Sequence, residues 1–169
     1  MIDIDDQGAI RVVTLDRPER RNALTPSGLE ALEAAVADPP VPVVYLHGAG
    51  EAFSAGADLE SVAALADDAD ADVEAFVRRG QRTADAIETS PAVVVAGIDG
   101  AARGGGVELA AACDLRIATP GATFAEPGVT FGLFGAWGGT VRLPELVGLG
   151  DALDLSLSGR VVDSEEARR

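Results

Sequence analysis

No lysine occurs anywhere in the chain: its 13 basic residues are all arginine, set against 28 acidic residues for a formal net charge of −15 over 169 residues. So negative a molecule repels phosphate arrays, which argues against nucleic acid or an anionic membrane as partner. Adaptation to high salt produces such a surface and is the expectation adopted here, although a GC-rich genome also favours arginine over lysine. At molar salt the screening length is about 3 Å, so an anionic small ligand would be held only by arginines placed directly against it. There is one cysteine, Cys113, so no disulfide framework exists and a reducing cytoplasm fits; on an apolar helix it reads as a small buried filler. There is one histidine, His47, and no Gly-x-Ser-x-Gly, so a serine hydrolase lacks its parts, and His47 reads as a polar strand-end residue. Neither a Walker P-loop nor a Gly-x-Gly-x-x-Gly fingerprint is present, and no Cys, His or carboxylate cluster has metal-ligand spacing. No stretch reaches the roughly 18 apolar residues of a spanning helix, and the first residues lack the apolar core of a signal peptide.

What is present suits one folded domain over residues 1–169: 47% of residues are hydrophobic, with only 20 glycines and 9 prolines. Ile10 to Leu15, Val41 to Leu46 and Ala92 to Ile98 read as strands, bounded by Gly, Pro or Asp. The last two are nearly continuous apolar runs, which predicts burial on both faces of a parallel sheet. Thr25-Pro26 predicts a helix start, with Leu29, Leu32 and Val36 on one face. A second helix is predicted from Ala71 to Thr89, with Val73, Phe76, Val77, Ala84 and Ile87 on one stripe, ended by Ser90-Pro91. Asp67 to Asp72 is acidic and Ala-rich and reads as a solvated loop. Strands separated by helices predict an α/β fold.

Two strand-to-helix junctions are built from small residues: His47 to Glu60 (HGAGEAFSAGADLE) and Ile98 to Ala110 (IDGAARGGGVELA). Such junctions aim free backbone N–H groups above the sheet, and two from neighbouring strands can converge on one oxygen atom. Glu108 follows the glycine run inside an alanine-rich apolar helix. It could simply complement the helix dipole. In a buried helix, however, a carboxylate is costly unless hydrogen-bonded, and such a group is a candidate for acid–base work.

These segments resemble the enoyl-CoA hydratase/isomerase, or crotonase, superfamily, and the resemblance spans the whole chain. It rests on Leu15 to Thr25, Gly48 to Leu59, Ala101 to Ala118, Gly132 to Gly148 and Leu157 to Arg169, in the family's order. It implies a spiral of β-β-α units with a largely parallel sheet flanked by helices. It also implies a coenzyme A thioester as substrate, with no further cofactor and no metal. By position, Ala55 and Gly105 would supply the two amides that hold the thioester oxygen, with Glu108 beside them as catalytic carboxylate. Arg20, Arg21, Ala23, Ala57, Asp58, Leu59, Gly104, Pro127 and Gly128 would line the coenzyme and substrate path, the arginines reading equally as solvated surface. Phe131, Leu133, Phe134 and Trp137 would line the acyl pocket or simply fill the core.

Two features depart from the family pattern. Hydratases of this kind use two glutamates; Glu108 matches the first, but the segment Ala122 to Gly132 puts Gly128 where the second belongs. Glu126 stands two residues earlier, across Pro127, so it could substitute, as could a bound anion, or one carboxylate could suffice. Simple double-bond isomerases often keep the carboxylate lost here. The second departure is that family chains continue beyond the helix at Ser164 to Arg169 into helices that cover the site and build trimers or dimers of trimers. The expectation is therefore a cytoplasmic, homo-oligomeric hydratase-like enzyme. The alternatives are an isomerase or other acyl-CoA lyase of the same family, and a non-catalytic acyl-CoA-binding or assembly subunit.

Overall fold

The computed structural model describes residues 1–65 and 70–169. Residues 67–69 of the expected acidic loop lie outside that range, and the chain is already helical at Asp70. The strands are β1 (Ile2–Gln7), β2 (Ile10–Leu15), β3 (Val43–Gly48), β4 (Ala52–Ser54), β5 (Val93–Ile98), β6 (Ala101–Arg103), β7 (Leu115–Ala118), β8 (Thr123–Ala125) and β9 (Val162–Asp163). The helices are α1 (Pro26–Ala37), α2 (Leu59–Ala64), α3 (Asp70–Glu88), α4 (Gly105–Ala112), α5 (Gly139–Val147), α6 (Leu149–Ser158) and α7 (Ser164–Ala167).

Two sheets form. One has the order β1-β2-β3-β5-β7, parallel except for the β1/β2 pair. The other has the order β4-β6-β8-β9, parallel except for β8/β9. Three successive units, starting at β3, β5 and β7, each send their first strand to the large sheet and their second to the small one before turning into helix. Stacking like strand on like strand makes the β-β-α spiral that the sequence led us to expect. It also sets the ends of β4, β6 and β8 side by side, and these ends carry Ala55, Gly104 and Glu126.

The core lies between the large sheet and helices α1, α3 and α4. Val13, Leu15, Val44, Leu46, Val94, Ala96 and Ile98 meet Leu29, Leu32, Val36, Ala84, Ile87 and Leu109 there, each at most 1% exposed. Along β5 burial alternates with the period of two that a pleated strand requires: Val94, Ala96 and Ile98 point inward. The expectation of burial on both faces is therefore corrected. Val93 is 47% and Tyr45 37% exposed, because the helices cover only one face of the large sheet. On the open face the Tyr45 ring lies against Gly97, where a side-chain carbon would overlap it.

α1 begins where predicted. The Thr25 hydroxyl accepts from the Gly28 N–H at 3.2 Å and Pro26 takes the first helical position, needing no N–H partner. Cys113 caps the end of α4, buried, its thiol pushed up to about 12 by burial first of all, as suits inert packing. His47 is a polar strand-end residue, its Nε2 3.1 Å from the Thr14 hydroxyl.

Candidate active site

A cavity of about 370 Å³ opens where β4, β6 and β8 end. Its apolar wall comes from Val62 of α2, Phe76 and Val77 of α3, and Trp137. Phe131, Leu133 and Phe134 complete the lining; Phe134 is 73% exposed at the rim whereas Trp137 is only 4% exposed. Trp137 packs edge-on to Phe76, with ring centroids 5.9 Å apart, and lies flush against Gly105, so any side chain at 105 would enter the indole. Of α2 and α3 the sequence points only to Leu59 here, and it shows Phe76 and Val77 only as part of a helical stripe.

The polar floor is made by the two glycine-rich junctions. Gly56, at φ +80°, brings them together: a carbon added there would sit 2.6 Å from the Arg103 carbonyl and 2.7 Å from the Gly105 nitrogen. Where the amides point is decided by pairings distant in sequence. The Ala55 N–H donates to the Arg21 carbonyl at 2.8 Å. The next amide, Gly56, donates to the Ser54 hydroxyl at 3.1 Å. Leu24 pairs in parallel with Ala57, using the Gly56 carbonyl and the Asp58 N–H and turning the Ala57 N–H the other way. The expectation for Ala55 is thus corrected: its amide is committed within the protein. Among the described residues the Ala57 amide has no acceptor. The same holds for Gly105, the first residue of α4, whose amide is one of those every helix start leaves unpaired. Gly104 precedes it at φ +48°, its own N–H held by the Ala125 carbonyl at 3.0 Å.

Two other side chains hold this floor. Buried Asn22 accepts from the Arg17 N–H at 2.9 Å and donates to the Ala49 and Ala52 carbonyls at 2.9 and 2.8 Å. Buried Ser54 donates to the Asn22 carbonyl at 2.9 Å. Both lie within the segments Leu15 to Thr25 and Gly48 to Leu59, but their bracing role follows from partners about 30 residues away in the chain.

Glu108 is 3% exposed and faces the cavity from the first turns of α4. Its Oε2 accepts the Gly139 N–H at 2.7 Å, so it also caps α5. Burial pushes its carboxyl up to about 7, against the opposing pull of the Gly139, Trp137 and Gly138 amides and the Arg142 charge. Arg142 is itself fixed to α3 by Asp85 and Glu88, at 2.7 and 2.5 Å. The second buried carboxyl in the cavity is Glu126, 5% exposed, with Oε1 lacking any hydrogen-bond partner. Burial first, and then the nearby Glu108 charge, push it up to about 8.

Pro127, Gly128, Ala57 and Leu59 also line the cavity. Asp58 does not join them: it is 4% exposed, caps α2 by accepting from the Ser61 N–H at 2.9 Å, and pairs with Arg17 at 2.5 Å. Burial raises its carboxyl, but Ser61 and Arg17 outweigh this and hold it below the usual range. Its expected coenzyme contact is therefore corrected to an internal brace. Arg20 is paired with Glu60 at 2.7 Å, and Ala23 is 7% exposed behind the same loop. Arg21 is exposed and lies close enough to Arg103 for the two charges to repel, with burial and Arg21 lowering the Arg103 guanidinium. Among the described residues neither arginine has a carboxylate partner, which in so acidic a protein marks an uncompensated positive spot.

Comparison with known proteins agrees with this geometry. A relative from Rhizobium meliloti (strain 1021), described as "Probable enoyl-CoA hydratase", is 37% identical over 170 residues, covering 98% of this chain and 64% of the relative. The "Crotonyl-CoA hydratase" of Syntrophomonas wolfei is 36% identical over 98% of this chain and 65% of that protein. The crystal structure of an enoyl-CoA hydratase from Bacillus anthracis superposes with a TM-score of 0.89 at 35% identity, covering 99% of this chain and 66% of that one. The chain thus spans a little under two thirds of the length of the curated relatives it matches. A sequence profile described as "Enoyl-CoA hydratase/isomerase" matches residues 5–169, and with the spiral of β-β-α units and this carboxylate-floored cavity it leads to one conclusion: the chain belongs to the enoyl-CoA hydratase/isomerase family.

Proposed function

We propose that this chain carries the core of an enzyme that adds water across the 2,3 double bond of an enoyl-CoA thioester. The observation carrying the proposal is one cavity that gathers two amides, Ala57 and Gly105, without acceptors among the described residues, beside the buried Glu108. The thioester carbonyl seats between the two amides. Its oxygen gains negative charge when water adds at C3, and fixed N–H donors stabilise that enolate at no cost in reorganisation; each is worth about 3–4 kcal/mol of barrier. The Gly105 amide contributes further as the start of α4, where the helix dipole favours negative charge. Glu108, near neutrality in its proton affinity, takes the proton from the attacking water.

The rest of the molecule serves binding. The apolar wall of Val62, Phe76 and Trp137 receives the acyl chain. Arg21, exposed and without a carboxylate partner among the described residues, offers its charge to coenzyme phosphates, with Arg103 nearby, its guanidinium held by the Ala102 and Thr123 carbonyls and the Thr123 hydroxyl. Gly128 in place of a second glutamate fits a mechanism that draws its second proton from elsewhere. An oligomer, with trimers as the family's habit, completes the reading.

The test measures hydration of crotonyl-CoA by the full chain and by Glu108→Gln. The variant should bind crotonyl-CoA with unchanged affinity and lose about 10²- to 10⁴-fold in kcat. Equal rates would remove Glu108 from the chemistry. Binding without turnover of crotonyl-CoA and longer enoyl-CoAs by the native chain would identify a binding subunit instead.

A further inference from the structure

We propose that Glu126 supplies the second proton of the reaction, taking over from position 126 the work that a side chain at Gly128 cannot do. This rests on the hydratase reading above. Three observations place Glu126 there. It stands at the end of β8, directly before the 3-10 turn Pro127–Phe131, and its side chain lines the cavity that Glu108 floors. It is 5% exposed, and its Oε1 has no donor or acceptor, so its burial brings no structural return. Position 128 is tight against backbone: a carbon added there would meet the Leu133 carbonyl oxygen at 3.0 Å and the Phe134 nitrogen at 3.3 Å, so residues 133 and 134, tied to it by the Leu133 N–H donating to the Gly128 carbonyl at 2.8 Å, would have to give by a few tenths of an ångström. The segment that would have to make room for a carboxylate at 128 is thus seated on the glycine.

The step balances between two carboxyls. Glu108 begins as carboxylate, held by the Gly139 N–H, and Glu126 begins as the neutral acid. Water adds through its oxygen to C3, its proton passes to Glu108, and the C2–C3 π pair moves into the enolate. The enolate then takes the Glu126 proton at C2, leaving Glu108 neutral and Glu126 ionised. Water has been added in full, no oxidant or reductant is needed, and proton exchange between the two sites restores the start. Burial and mutual repulsion favour one proton on the pair near neutral pH, which is the state the step requires. Arg142 is the other charge acting on the pair, through Glu108.

The experiment compares native chain, Glu126→Gln and Glu126→Asp. It measures crotonyl-CoA hydration over pH, crotonyl-CoA affinity, and exchange of the C2 hydrogens of butyryl-CoA with D2O, with circular dichroism to confirm folding. The expected result is a loss of about 10²-fold or more in both kcat and C2 exchange for Glu126→Gln, with affinity kept, and partial recovery in Glu126→Asp. The alkaline fall of kcat, near pH 8 in the native chain, should vanish in Glu126→Gln. Native-like hydration and C2 exchange in Glu126→Gln overturn the inference and leave the hydratase reading intact. Absence of hydration by the native chain itself overturns both.

Discussion

Replacing Glu126 with glutamine should make the protein more stable, increasingly so as pH rises. The carboxyl is held near 8 in the folded chain against 4.5 when free in water, so between those values the native state binds a proton that the unfolded chain has lost. Stability contributed by that proton is present at low pH and disappears as pH climbs toward 8. From about pH 5.5 to about pH 8 the ceiling is 2.5 pH units at about 1.4 kcal/mol each, or about 3.5 kcal/mol. Desolvating a single unpartnered polar group costs about 1–3 kcal/mol, which supplies a floor near 1 kcal/mol. Urea unfolding of native chain and Glu126→Gln at about pH 5.5 and about pH 8.5 reads the effect as a shift in midpoint at constant m. The gap should widen in favour of the variant by about 1–3.5 kcal/mol between the two pH values. A gap independent of pH would show that Glu126 ionises as an ordinary surface carboxylate, and the account of the buried pair would fall.

Asn22→Ala removes three hydrogen bonds and leaves the buried Ala52 carbonyl, the part-buried Ala49 carbonyl and the Arg17 amide without them. It should destabilise the chain by about 2–4 kcal/mol in the same assay and weaken thioester binding, because the loop that aims Ala57 is no longer tied down. Gly128→Glu should yield no gain in crotonyl-CoA hydration and a lower melting temperature, since the new side chain starts against the backbone of residues 133 and 134. A large gain in rate would mean that the missing carboxylate is the one at 128.

Local pattern made much of this molecule legible. The Thr25 cap, the strand cores and the helix at Ala71 to Thr89 all follow from contacts within a turn or a strand, and each lies within two residues of its predicted place. The two glycine-rich junctions were visible because close backbone approach demands glycine, as the contact of Gly56 with the Gly105 nitrogen shows. What the sequence hid depends on partners far along the chain. Ala55 and Ala57 are chemically alike and flank one glycine; only the Arg21 carbonyl and the pairing with Leu24 decide which amide is spent and which is free. Asp58 reads as a polar residue in a binding loop until Arg17 closes on it. The β5 run Val93–Ile98 is apolar on both faces, yet only the helices on one side reveal which face is covered. Glu126 was visible as a carboxylate near the right place, but its burial beside Glu108 follows from the path of β8 and the seat of residues 133 and 134 on Gly128.

The most direct test of the whole account is a crystal structure of the chain with acetoacetyl-CoA. The thioester oxygen should lie about 2.7–3.1 Å from both the Ala57 and Gly105 nitrogens, with the acyl group between Glu108 and Glu126. A thioester oxygen bound elsewhere, or held by the Ala55 amide after release from Arg21, would contradict it.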